Sequence, residues 1–195
     1  MEIDTIEEGF FYHIYNRGNN GENIFYEQEN YYYFLKLFGK YILPVADVYA
    51  YCLLENYFHF LIRIKEENEI RITQLMYSTV NKPKIISASK QLSHFFNAYC
   101  QAINKKYART GSLFEKPFER TRIEDENHLK QVIVDIHTKP FETGFSEDLK
   151  NYYWSSYQAI ISNSFTKIKR TEVLDLFDDR TNFIFCHNQS KMVLN

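Results

Sequence analysis

The sequence predicts an α+β domain built on an antiparallel sheet whose one face is covered by helices. Three observations carry this. Apolar residues alternate with period two in four short stretches, and they recur at helical spacing in the segments between. Two of the strand-like stretches are separated only by Glu55-Asn56, a length that suits an antiparallel hairpin.

Taken in order, Phe10 to Asn16 is aromatic and rich in strand formers, and Arg17-Gly18-Asn19-Asn20-Gly21 supplies a turn. From Gln28 to Ile42, residues Tyr31, Phe34, Leu35, Phe38, Tyr41 and Ile42 follow helical spacing, and Pro44 marks the end. Val45 to Leu54 and Tyr57 to Ile64 form the hairpin. Alternation along its second strand puts Tyr57, His59, Leu61 and Arg63 on one face. A buried imidazole there needs a hydrogen-bond partner, a metal or a substrate; a core histidine bonded to a tyrosine hydroxyl would also satisfy it.

Glu69 to Val80 reads as a helix, and Ser87 to Ala108 as a longer one with the stripe Leu92, Phe95, Phe96, Tyr99, Ile103 and Tyr107. Phe118 to Glu124 is a fourth strand with Arg120 and Arg122 on one face. Asp125 then caps a helix that Pro140 is expected to stop. His128, Gln131, Asp135 and Lys139 border its apolar face, and Asp135 precedes Lys139 by four residues, the spacing of a helical ion pair. Short helices follow over Asn151 to Ile161 and Thr171 to Phe177, with Thr171 as a cap. The expected organisation is one domain over residues 1–162 and a helical C-terminal extension over 163–195.

A net charge of -2 gives no overall attraction to nucleic acid or anionic membrane, so a polyanion site must come from local clustering. Between residues 101 and 122 six basic residues (Lys105, Lys106, Arg109, Lys116, Arg120 and Arg122) face two acidic ones, Glu115 and Glu119. Interleaved with Tyr107, Phe114 and Phe118, they combine backbone-neutralising charge with stacking rings, as single-strand nucleic-acid sites do; a solvated face over core aromatics is the alternative. Arg17 and Arg63 extend the set from the strands. Cys52, Cys100 and Cys186 lie far apart, which argues against a disulfide framework or cysteine zinc site and fits a reduced, cytoplasmic protein. No apolar run is long enough to span a membrane.

Several ordered motifs give the chain a family resemblance. These are Tyr12-His13-Ile14-Tyr15-Asn16-Arg17-Gly18-Asn19-Asn20 with Asn23-Ile24-Phe25, Ala50 through Ile62, Arg109-Thr110-Gly111-Ser112-Leu113-Phe114-Glu115, Ile136-His137 with Pro140, and Trp154-Ser155-Ser156-Tyr157. Together they resemble the single-tyrosine HUH transposases, especially the REP-associated tyrosine transposase branch. The resemblance implies a ferredoxin-like or RRM-like sheet, a homodimer, and recognition of single-stranded, hairpin-forming DNA. It also implies strand cleavage by a tyrosine nucleophile and a divalent metal, through a 5'-phosphotyrosine link.

The chain departs from that pattern at three places. Tyr57 stands at the first histidine of the metal-binding pair, leaving His59 as a remnant ligand. Asp135 stands where the resemblance places the nucleophilic tyrosine, and Lys139 where it places the asparagine before the proline. A carboxylate cannot form a phosphotyrosine, and an ammonium repels a cation. The expectation is a DNA-binding protein that has lost nicking activity and needs no cofactor. Two alternatives stay open: a rearranged Mg- or Mn-dependent nuclease with Tyr57 as nucleophile and His59, His13 or Asp135 holding the metal, and a dimeric interaction module without DNA binding.

Overall fold

The computed structural model describes residues 5–70 and 87–193, with side chains to 190. Strands β1 (Phe11–Arg17), β2 (Ala46–Leu54), β3 (Tyr57–Ile64) and β4 (Glu119–Ile123) form one antiparallel sheet in the order β2-β3-β1-β4. Helix α1 (Gln28–Tyr41) connects β1 to β2, and α2 (Ala88–Lys106) precedes β4. This is the expected fold class, and the Glu55-Asn56 hairpin falls where the spacing puts it. The helix expected over Glu69 to Val80 lies mostly outside the described residues.

Alternation builds the first core. Tyr12 and Ile14 of β1 and Phe58, Phe60, Ile62 and Ile64 of β3 point to one face, where Phe34 and Phe38 of α1 meet Phe95 and Tyr99 of α2. Phe58 and Phe60 are fully buried, each burial contributing about 2–3 kcal/mol.

The second face is also covered, contrary to the expectation of helices on one side only. Helix α3 (Glu126–Glu142) lies across it, followed by α4 (Tyr157–Ile161), α5 (Arg170–Leu176) and α6 (Arg180–Val193). The reason is that β2 is apolar on both faces: Tyr49, Ala50, Cys52 and Leu54 join Leu61, Ile133, Ile136, Val173 and Phe183 in a second cluster. A register shift between Val48 and Ala50 inserts the extra residue that turns Tyr49 to this side.

Pro140 does not stop α3. The helix runs on to Glu142 with Pro140 buried in its last turn, forgoing one backbone bond there. Elsewhere, Asn151 to Ile161 divides into a 3-10 turn (Leu149–Asn151) and α4, and the N-cap position of α5 is held by Lys169, without a side-chain cap bond, and not by Thr171.

Candidate functional site

The central strand pair places the site. Tyr15 faces His59, Arg17 faces Tyr57 and His13 faces Leu61 across the β1–β3 ladder, all on the second face of the sheet. Helix α3 covers β2 and part of β3 but leaves the β1 side open, and its end supplies Lys139, Glu142 and Thr143 as one wall. The Glu115–Glu119 approach to β4 supplies another. The cavity between them holds about 570 Å3.

His59 is bonded not to a tyrosine but to a second histidine. His13 Nε2 lies 3.0 Å from His59 Nδ1, so one nitrogen carries the shared proton and the other accepts it. The two imidazoles meet edge to edge along that bond, 5.1 Å between centroids and 26° between planes; the Tyr15 ring is 5.4 Å from His59 at 29°, and Tyr57 meets His59 edge-on. Burial pushes His59 down to about 3, with the neighbouring His13 and Lys139 adding to the shift. His13 is pushed down to about 4, by burial first and then by Lys139 and His128. Both imidazoles are neutral at pH 7. Burial also raises the Tyr57 phenol, against the opposing effects of a hydrogen bond with Thr143 and the charge of Lys139.

Lys139 does line this pocket, but its partner is Glu142 at 2.6 Å rather than Asp135. The continuation of α3 past Pro140 brings that carboxylate within reach, three residues on, where Thr138 Oγ1 also donates to it at 2.9 Å. Asp135 accepts from Gln131 Nε2 at 2.7 Å and lines a different groove, between α3 and α6. Among the described residues, no group of three or more His, Cys, Asp or Glu side chains is placed to hold a metal ion.

The basic residues read from the sequence divide by their neighbours. Arg17 is paired with Glu115 at 2.7 Å at the pocket rim, and exposed Lys116 follows it in the loop. At the end of α2, Lys106 pairs with Glu27 and Arg109 with Glu22, while Arg109 also donates to Tyr26 at 2.5 Å. Lys105 is exposed, without an ion-pair partner among the described residues. Arg120 and Arg122 stand opposite Ile14 and Tyr12, hence on the other face of the sheet from the pocket. Arg122 reaches Glu7 at 2.9 Å and lies over Phe10, while Arg120 lies over Phe118. Arg63 sits at the far end of β3, held by Glu69 at 3.2 Å and Asp47 at 3.5 Å.

A second histidine pair, not legible in the sequence, lies in the other core. His137 Nδ1 lies 2.9 Å from His187 Nε2, and His137 Nε2 lies 2.7 Å from Ser156 Oγ. His187 Nδ1 donates to the Phe183 carbonyl at 2.7 Å, which fixes the direction of the chain: His137 donates to His187, and Ser156 donates to His137. All three side chains are buried, so Ser156 has no route to a substrate. The one signal for α6 was Asp179 as a cap with Phe183 and His187 following at helical spacing.

No protein-family model matches the chain, and no curated protein matches it. Among solved structures, it is similar to one described as the REP-associated tyrosine transposase bound to a REP hairpin. The likeness covers 84% of this chain and 86% of that one, with a TM-score of 0.60 and 10% sequence identity. At that identity the likeness is one of fold.

Proposed function

We propose that this chain is a cytoplasmic, transposase-like protein that binds single-stranded or hairpin-forming DNA, as a homodimer, without cutting it. Support for the DNA partner comes from the fold, shared with a transposase whose structure holds a hairpin. Exposed Lys105 and Lys116 meet phosphates directly, and Arg17, Lys106 and Arg109 do so by exchanging a carboxylate for a phosphate.

The observation that carries the loss of cleavage is the His13–His59 bond beside Lys139. A divalent cation needs several converging lone pairs. Here one imidazole nitrogen is taken up by the other, Tyr57 offers a protonated phenol, and the Lys139 ammonium acts on both imidazoles. The residues present do not fit the metal that the resemblance implies. Nor does Tyr57 fit the role of nucleophile: it shares the strand face of His59, so it would attack from the side that the metal and phosphate would occupy.

The test is a titration with hairpin DNA at several salt concentrations, followed by incubation with Mn2+ or Mg2+ and denaturing electrophoresis. Neutralising about three to five phosphates gives a log–log salt slope of roughly -2 to -4, with no covalent adduct. An adduct abolished by Tyr57→Phe would establish the rearranged nuclease instead. A dimer without affinity at low salt would leave the interaction module.

A further inference from the structure

The geometry points to the β1–β3 pocket as a receptor for an unpaired nucleobase, occupying the place where a metal-bound phosphate would otherwise sit. This rests on the proposed function for its source of ligand, a DNA strand, but the pocket's own chemistry selects the base.

Charge comes first. The two cations of the lining, Arg17 and Lys139, are each held by a carboxylate, Glu115 and Glu142, and Glu119 adds a further negative charge. A phosphate entering this space meets more acid than base. A neutral ring does not, and its exocyclic amines and ring N–H groups are donors for which Glu119 and Glu142 are acceptors. Glu119 is exposed beside Tyr15, its cross-strand partner, with no ion pair among the described residues.

Shape agrees. Tyr15 and His59 both line the cavity with their ring planes 29° apart, and Tyr57 stands edge-on to His59, so ring faces and edges bound the space. Bases stack on such rings irrespective of sequence, and cavities of this volume hold small planar ligands. The hydrogen bond to His13 holds the His59 ring, so this part of the lining is set before a ligand arrives. Exposed Lys116, between the lining residues Glu115 and Pro117, borders the adjacent groove with Phe96 and Phe118 and offers a charge to the strand outside the cavity.

The experiment replaces each unpaired base of a bound hairpin, one at a time, by an abasic site, in EDTA. At one position affinity falls about tenfold, and in Tyr57→Ala or Tyr15→Leu that position no longer matters. 2-Aminopurine at the same position is quenched on binding by the wild type. If the hairpin binds but every abasic substitution is neutral, the base pocket is overturned and DNA binding stands. If hairpin DNA does not bind, free nucleosides are titrated while the His13 and His59 ring signals are followed by NMR. Shifts confined to those rings keep the base pocket and discard the DNA strand as its source; no shifts overturn both. Broadening of the same signals by micromolar Mn2+ overturns the proposal in favour of a metal site.

Discussion

The molecule contains two histidine pairs with nearly the same contact, 3.0 Å for His13–His59 and 2.9 Å for His137–His187, and they do different work. In the second, every ring nitrogen is assigned: Ser156 donates at one end, the Phe183 carbonyl accepts at the other, and β2, α3, α4 and α6 close around the chain. In the first, the rings share one bond and no other among the described residues, and His59 lines a cavity walled by Lys139 and Glu142. A closed chain of hydrogen bonds fixes a fold, whereas an open one leaves chemistry for a ligand. The difference arises from what α3 covers: its middle lies over β2, and its end stops short of β1.

Truncation is the strongest way to break the comparison. His187→Ala removes a buried ring and strands the His137 donor, so a loss of about 3–4 kcal/mol is expected from urea denaturation. His59→Ala opens into an existing cavity that water can fill, and about 1 kcal/mol is expected. Equal losses would mean that both pairs are structural.

Acid comes next. Burial pushes His187 down to about 4 from its ordinary 6.5, and it lowers His137 well below that ordinary value too. Because the unfolded chain takes up these protons first, stability rises with pH in this window and is lost as pH falls below 6.5 toward 4. Each buried histidine costs up to about 1.4 kcal/mol per pH unit. Denaturation midpoints at pH 7.5 and 5.5 give the expected drop, and His59→Leu recovers only its own share of it. A flat profile would show that the imidazoles are already solvated in the folded chain.

How much of this was legible follows from the range over which each feature is set. The strand faces, the two-residue hairpin and the long apolar helix stripes depend on neighbours a few residues apart, and local spacing suffices to read them. The position of His59 on a polar strand face belongs to this class. Its partner does not, because His13 reaches it only through the register of β1 on β3, across 46 residues. The basic cluster around residues 101–122 looked like one patch because its neutralising acids, Glu7, Glu22 and Glu27, come from elsewhere in the chain. Pro140 misled for a different reason: in a final turn packed into a core, a proline forfeits little and burial outweighs it. That one misreading displaced Lys139 from its true partner and hid the wall of the pocket.

Lys139→Met sharpens the comparison most finely. Its ion pair with Glu142 is a partly exposed pair three residues apart on a helix, and Thr138 still bonds the carboxylate, so stability changes by about 0.5 kcal/mol or less. The charge acts on one pair of histidines and not the other: it contributes to the lowering of His13 and His59, whereas the lowering of His137 arises from burial and His187, and that of His187 from burial. Removing it should increase the protonated fraction of His13 and His59 at pH 5, read from their ring signals by NMR, and leave His137 and His187 unmoved. If all four stay where they are, burial alone keeps the pocket neutral and Lys139 serves only as a helix-end partner. If the pocket pair moves alone, α3 sets the electrostatics of a cavity it does not cover, and replacing this one ammonium is the first step in making the site accept a cation.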